Sequence, residues 1–164
     1  CRMHRRIDRA GGETMSLVRG SCLCGGIAFE IRGKLTPIQL CHAKRCQKFT
    51  GSAFSPEMGA KQSALHWIRG EELITVYEAP ILREPPALRR AFCRVCGSPV
   101  PVVLEGTGYV IVLAGTLDDD PGTRPFRHIF LGQGAAWNQA TDDLPRFEER
   151  PPADQRIQPT RTST

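Results

Sequence analysis

Six of the seven cysteines in this chain fall into three tight pairs: Cys22/Cys24, Cys41/Cys46 and Cys93/Cys96. The first residues carry no apolar leader, and in that setting cysteines spaced this way indicate metal or redox chemistry rather than a disulfide framework. Cys22-Leu23-Cys24 opens an alternating segment, and residues two apart in extended chain face the same side, so both sulfurs can reach one ion. Cys93-Arg94-Val95-Cys96-Gly97 has the spacing of a zinc knuckle: two intervening residues turn the chain and the glycine accepts a left-handed conformation. Two plus two thiolates make a tetrahedral set suited to a structural zinc held by Cys22, Cys24, Cys93 and Cys96. The competing readings are a reducible Cys93–Cys96 pair, or buried cysteines acting as small hydrophobes. Nothing around Cys93 resembles a βαβ redox unit, which favours zinc.

The rest of the chain predicts short strands. Ile27, Phe29 and Ile31 alternate with Ala28, Glu30 and Arg32, and Gly33 closes the run. Residues 73–77 and 109–114 are rich in β-branched and aromatic side chains. Residues 87–92, 100–104 and 127–130 are weaker strand candidates, and 59–65 suggest one short helical turn. With 16 Gly and 13 Pro among 164 residues, long helices are not expected, nor is a strand–helix alternation of the parallel α/β kind. The class is mainly β. The longest apolar run, Pro99 to Leu104, excludes a membrane-spanning helix.

The length suits one domain, expected over 16–149. Residues 1–15 are read as a disordered or non-native tail, since Met15-Ser16 resembles a chain start, and 150–164 as a disordered tail rich in Pro and polar residues. Of the net charge of +5, each tail contributes +2, leaving +1 over the body. That balance argues against a dedicated nucleic-acid binder, and the reduced cysteines suggest a cytoplasmic protein. Cys1 is read as an incidental thiol, Trp67 and Trp137 as packing residues, and Asp118 to Asp120 as a solvated turn.

The middle pair sits in Cys41-His42-Ala43-Lys44-Arg45-Cys46-Gln47-Lys48, two thiols and an imidazole among three cations. Positive neighbours favour thiolates, and Lys44, Arg45 and Lys48 are suited to receive the carboxylates of an anionic substrate. A solvated basic turn beside two structural cysteines is the plainer reading. Gly51-Ser52-Ala53-Phe54 offers small residues and backbone N–H groups close by.

Taken in order, Gly20 to Gly26, Cys41 to Cys46, Thr50 to Phe54, Phe92 to Gly97, His128 to Phe130 and Asp142 to Phe147 resemble the glutathione-dependent formaldehyde-activating enzyme family, which includes centromere protein V. The resemblance covers about 17–149. It implies a zinc-stapled β-tent of small antiparallel sheets in a single domain, with a structural zinc on Cys22, Cys24, Cys93 and Cys96. It also implies carbon–sulfur lyase chemistry that joins glutathione, or a related small thiol, to formaldehyde as S-hydroxymethylglutathione. In the family the middle motif reads Cys-x-Cys-x-x-Cys and holds a second, catalytic zinc. Here Cys41 and Cys46 match its first and third positions, but the second is Ala43, which has no donor atom. A catalytic zinc usually has three protein ligands and an open position, so this site is one ligand short. His42 is a candidate substitute if the turn rotates; His66 and His128 are more distant ones. Two further readings compete with catalysis at such a zinc: a non-catalytic zinc-stabilised binding module, and an enzyme using a bare Cys41 or Cys46 as nucleophile on another thiol adduct.

Overall fold

The computed structural model describes residues 16–80 and 88–155. Two strands, β1 (Leu17–Ser21) and β2 (Ala28–Arg32), form an antiparallel hairpin, and β5 (Leu65–Arg69) pairs with the free side of β2. The alternation read in the sequence sends Phe29 and Ile31 inward with Val18 opposite. Burial of such side chains contributes about 1.5–3 kcal/mol each. Gly20 faces Phe29 across the hairpin because the ring leaves no room for a side chain: a Cβ there would stand 2.2 Å from Phe29 Cζ.

A five-stranded sheet carries most of the fold. Its order is β11-β3-β4-β10-β9, with β3 Ile38–Cys41, β4 Ser55–Lys61, β9 Val102–Leu104, β10 Tyr109–Leu113 and β11 Pro125–Ile129. Ile38, Leu40, Met58, Ala60, Val110 and Val112 pack with Phe29 and Ile31 into the main core. A third sheet runs β6 (Ile74–Glu78), β7 (Arg89–Cys93) and β8 (Pro99–Val100).

The chain is mainly β, as its spacing predicts, in three small sheets, yet one pair is not antiparallel: β11 runs parallel to β3. Segment 59–65 also departs from expectation. It continues β4 to Lys61, and only Gln62–Ala64 turn helically. The stretch after Cys41, treated above as extended chain or turn, is a seven-residue helix, α1 (Lys44–Thr50), ended by Gly51 at φ 65°.

The expected tail over 1–15, including Cys1, lies outside the described residues, as do 156–164. Up to residue 155 the chain stays on the fold: Arg127 Nη1 donates to the Gln155 carbonyl at 2.6 Å, and Pro151 is buried. Trp67 packs edge-on against Phe29 at 5.9 Å, whereas Trp137, expected to pack, is 75% exposed. Asp118 and Asp119 tie their turn to β1, accepting from Ser21 Oγ and the Arg19 amide. Among the described residues no helix is long and apolar enough to cross a membrane.

Candidate metal centres

The fold brings Cys22 and Cys24, at the turn after β1, to Cys93 and Cys96, at the end of β7. Their four sulfurs all lie within 4.8 Å of one another. Each pair sits in a tight turn held by backbone bonds. Gly25 N–H donates to the Cys22 carbonyl and Gly97 N–H to the Cys93 carbonyl, with Gly97 at φ 72°, the left-handed conformation its position after the knuckle calls for. Cys22 and Cys93 are buried among Ile27, Ala91, Val100 and Val102.

A tetrahedron of sulfurs at ~2.3 Å from zinc has edges of about 3.8 Å. The Cys22–Cys24 and Cys24–Cys93 separations, 3.5 and 3.9 Å, bracket that length. Electrostatics also favours a cation. Hydrogen bonding with Ser98, first through its side chain and then through its backbone, brings the Cys96 thiol down to about 5. Burial would raise Cys22, but the Ile27 amide and neighbouring thiols hold it below its ordinary value. The Gly26 amide lowers Cys24, and Cys22 and Cys96 outweigh it, pushing that thiol up to about 11. Negative charge that cannot spread to all four sulfurs is what a bound cation relieves. Among the described residues all six cysteines are free of disulfides, and Cys22, Cys24, Cys93 and Cys96 can together hold a metal ion.

The second group forms where β3, α1 and β4 meet. Cys41 ends β3, and Cys46, on the inward face of α1, places its sulfur 3.3 Å from that of Cys41. The sequence reading missed the third member of this group: Glu57 of β4, whose Oε1 is 3.5 Å from Cys46 Sγ. Cys41, Cys46 and Glu57 together can also hold an ion. Arg90 of β7 closes the group, its Nη2 donating at 3.0 Å to both Cys46 Sγ and Glu57 Oε1, with the guanidinium over the Phe49 ring. The hydrogen bond to Cys41, then burial and the Glu57 charge, raise the Cys46 thiol far above its ordinary range, so metal-free Cys46 keeps its proton. A bare Cys46 nucleophile is therefore disfavoured. Two buried polar atoms beside the group lack hydrogen-bond partners: Ser55 Oγ, opposite Cys41 in the ladder, and Arg90 Nε.

His42 does not join this group. As alternation along extended chain requires, it points away from Cys41, and its Nε2 lies 2.8 Å from His128 Nδ1 on β11. His128 Nε2 in turn meets Asp142 Oδ1 at 2.9 Å. Both imidazoles are 2% exposed. Burial first, and then His128, keep His42 below its ordinary pKa; the His128 hydrogen bond lowers Asp142. This chain, buried at its two imidazoles, ties the 142–147 segment onto β11, a structural use for both histidines. His66 lies on the separate strand β5, paired with Glu30.

The three cations expected to meet substrate separate by position. Lys44 and Lys48 are exposed one turn apart on α1, while Arg45 donates to the Pro80 carbonyl at 3.1 Å. Ala53 is buried, and the Phe54 ring lies tilted at 5.4 Å from the His42 ring, so the 51–54 loop supports the histidine chain. The depression lined by Lys61, Gln62, Ser63, Thr107, Gly108 and Tyr109 lies at the other end of the β4–β10 pair, four residues along the strand from Glu57.

Comparison with known proteins gives a family. The model of the glutathione-dependent formaldehyde-activating enzyme family matches residues 17–133. One solved structure, a protein of Rhodobacter sphaeroides, is 22% identical, the match covering 65% of this chain and 97% of that chain with a TM-score of 0.47. No curated protein matches the sequence at a significant level.

Proposed function

This chain belongs to the glutathione-dependent formaldehyde-activating enzyme family, and we propose that it is a carbon–sulfur lyase acting on S-hydroxymethylglutathione or a related small-thiol adduct. The observation that carries the reading is the Cys41–Cys46 pair, 3.3 Å apart where the family places its catalytic zinc. Zinc is the metal we assign to both groups, and Cys22, Cys24, Cys93 and Cys96 hold the structural ion. A zinc ion held at Cys41 and Cys46 would supply the Lewis acidity that makes a substrate thiol a thiolate at neutral pH.

The chain's own residues account for the remaining tasks. Arg90 holds Cys46 and Glu57 in place and offsets their charge. Lys44 and Lys48 present ammonium groups to the carboxylates of a peptide-like thiol, and Arg45, tied to Pro80, stiffens the same rim. In the synthetic direction the thiolate sulfur forms a bond to the formaldehyde carbon, and the carbonyl oxygen takes up a proton from water. In the lyase direction that bond breaks and formaldehyde leaves.

A second reading, a zinc-stabilised binding module without catalysis, is favoured by Ala43 and by Arg90 already satisfying Cys46 and Glu57. The test is carbon-13 formaldehyde exchange with glutathione, followed by NMR on metal-loaded protein. The expected result is exchange faster than the uncatalysed reaction and lost in Cys46→Ser. Exchange at the uncatalysed rate with both metal groups filled would establish the binding module instead.

A further inference from the structure

We propose that Glu57 is the third protein ligand of the second metal site, an oxygen donor from β4 that replaces the thiolate missing at Ala43. The proposal rests on the preceding reading only in assuming that Cys41 and Cys46 bind a metal. Glu57 sits on the strand that pairs with β3, two residues beyond the partner of Cys41, and this register carries its carboxylate to the sulfurs. Its side chain is 13% exposed, so a carboxylate ordinarily found at the surface is here turned inward.

Charge favours an ion. Two thiolates and a carboxylate carry three negative charges; Arg90 supplies one positive charge and a divalent metal the other two. Without the metal, one buried arginine faces three acidic groups drawn together in the interior. The unpartnered Ser55 Oγ, opposite Cys41 in the ladder, adds a buried oxygen at the same spot with nothing in the fold to bind, as expected where a ligand shell belongs. His42, the nearest alternative donor, is committed to His128.

Two sulfurs and one oxygen make a harder donor set than three sulfurs. The site is thereby shifted toward zinc, cobalt and ferrous iron and away from cuprous ion. It also holds its metal less tightly than the four-thiolate cluster.

The experiment is metal content per chain after loading with zinc and desalting, on wild type, Glu57→Gln and the double variant Ala43→Cys/Glu57→Gln, with cobalt(II) titration of each. Ala43 packs against the cluster that Cys41 and Cys46 form with Ile129, so a cysteine there is placed to supply the missing donor. Wild type is expected to hold two ions, Glu57→Gln one, and the double variant two again. The second cobalt equivalent should add about half the thiolate-to-cobalt absorbance of the first in wild type, two sulfurs against four, and three-quarters in the double variant. Two ions retained in Glu57→Gln would overturn the ligand assignment and leave the second metal standing. One ion in wild type would overturn both the assignment and zinc-dependent turnover. Two ions in wild type and one in Glu57→Gln, without formaldehyde exchange in either, would uphold Glu57 and sink the lyase reading. Should Glu57→Gln fail to fold, Glu57→Asp decides: a ligand role requires looser binding of the second ion, with the first unchanged, and unchanged binding of both refutes it.

Discussion

Replacing Arg90 by Met separates a buried charge from its only cationic neighbour among the described residues of that group. The guanidinium is 6% exposed and stands 3.0 Å from both Glu57 Oε1 and Cys46 Sγ. At an effective dielectric constant near 20 the gross attraction at that distance is about 5 kcal/mol. Desolvation of both partners offsets much of it in the intact pair, but removing one partner leaves the desolvation of the other uncompensated. Breaking a buried pair in this way costs about 3–5 kcal/mol. The lost contact with Phe49 accounts for about 0.5–1 kcal/mol of that. Urea unfolding on preparations holding one metal ion per chain, with the four-cysteine cluster loaded and the second group bare, reads the cost directly. The double variant Glu57→Gln/Arg90→Met removes both charges and should be more stable than the sum of the single variants predicts by about 2 kcal/mol. An Arg90→Met cost below about 1 kcal/mol, or additivity within about 0.5 kcal/mol, would refute the buried-pair reasoning.

Stripping metal from the Cys22–Cys24–Cys93–Cys96 cluster with a chelator should lower the melting temperature by roughly 10 °C or more, since the ion joins two turns far apart in sequence; an unchanged melt means the cluster is held by packing alone. His42 is kept neutral in the fold below its ordinary value of 6.5, so the unfolded chain binds the extra proton. Its contribution is therefore complete above about pH 6.5 and falls away as the pH drops below that, and a melting curve for His42→Gln that runs parallel to wild type from pH 7.5 to 5 would contradict this. Gly20→Ala puts a Cβ 2.2 Å from Phe29 Cζ and 2.6 Å from the Thr116 carbonyl and should cost about 1–3 kcal/mol, part of it recovered by adding Phe29→Leu; a neutral Gly20→Ala in thermal melts would show that the hairpin yields freely.

The four-cysteine cluster was legible because its spacing is local: Cys-x-x-Cys forms the turn its sequence predicts, whereas Cys22 and Cys24, expected on extended chain, are brought together by a turn that follows β1. Phe29 and Ile31 were legible for the same reason, as period-two alternation acts within one strand. Glu57 was not. It lies in Ser-Pro-Glu-Met-Gly-Ala-Lys, where Pro56 and Gly59 mask the strand signal, and only pairing with β3 and β10 makes the segment a strand. A glutamate in such a stretch reads as surface. Arg90 hides similarly within Arg89-Arg90, a pair whose members part to opposite faces of β7. α1 lacks a sustained apolar stripe, and its position is set by Cys46 docking on Cys41 and Ile129. Residues 150–155 looked like tail because their composition is polar; one hold on them is the buried Arg127 of β11, which donates to the Gln155 carbonyl.

The parallel seam between β3 and β11 has a temporal side. Cys41 emerges during synthesis 84 residues ahead of Pro125, where β11 begins. At ordinary translation rates that is roughly 4 to 17 s in which β3 has an uncovered edge. Throughout that interval the nascent chain offers Cys41 and Cys46 to any oxidant, and a bare strand edge to any neighbouring chain. The arrival of the last strand is thus also the moment at which the thiol pair is sealed.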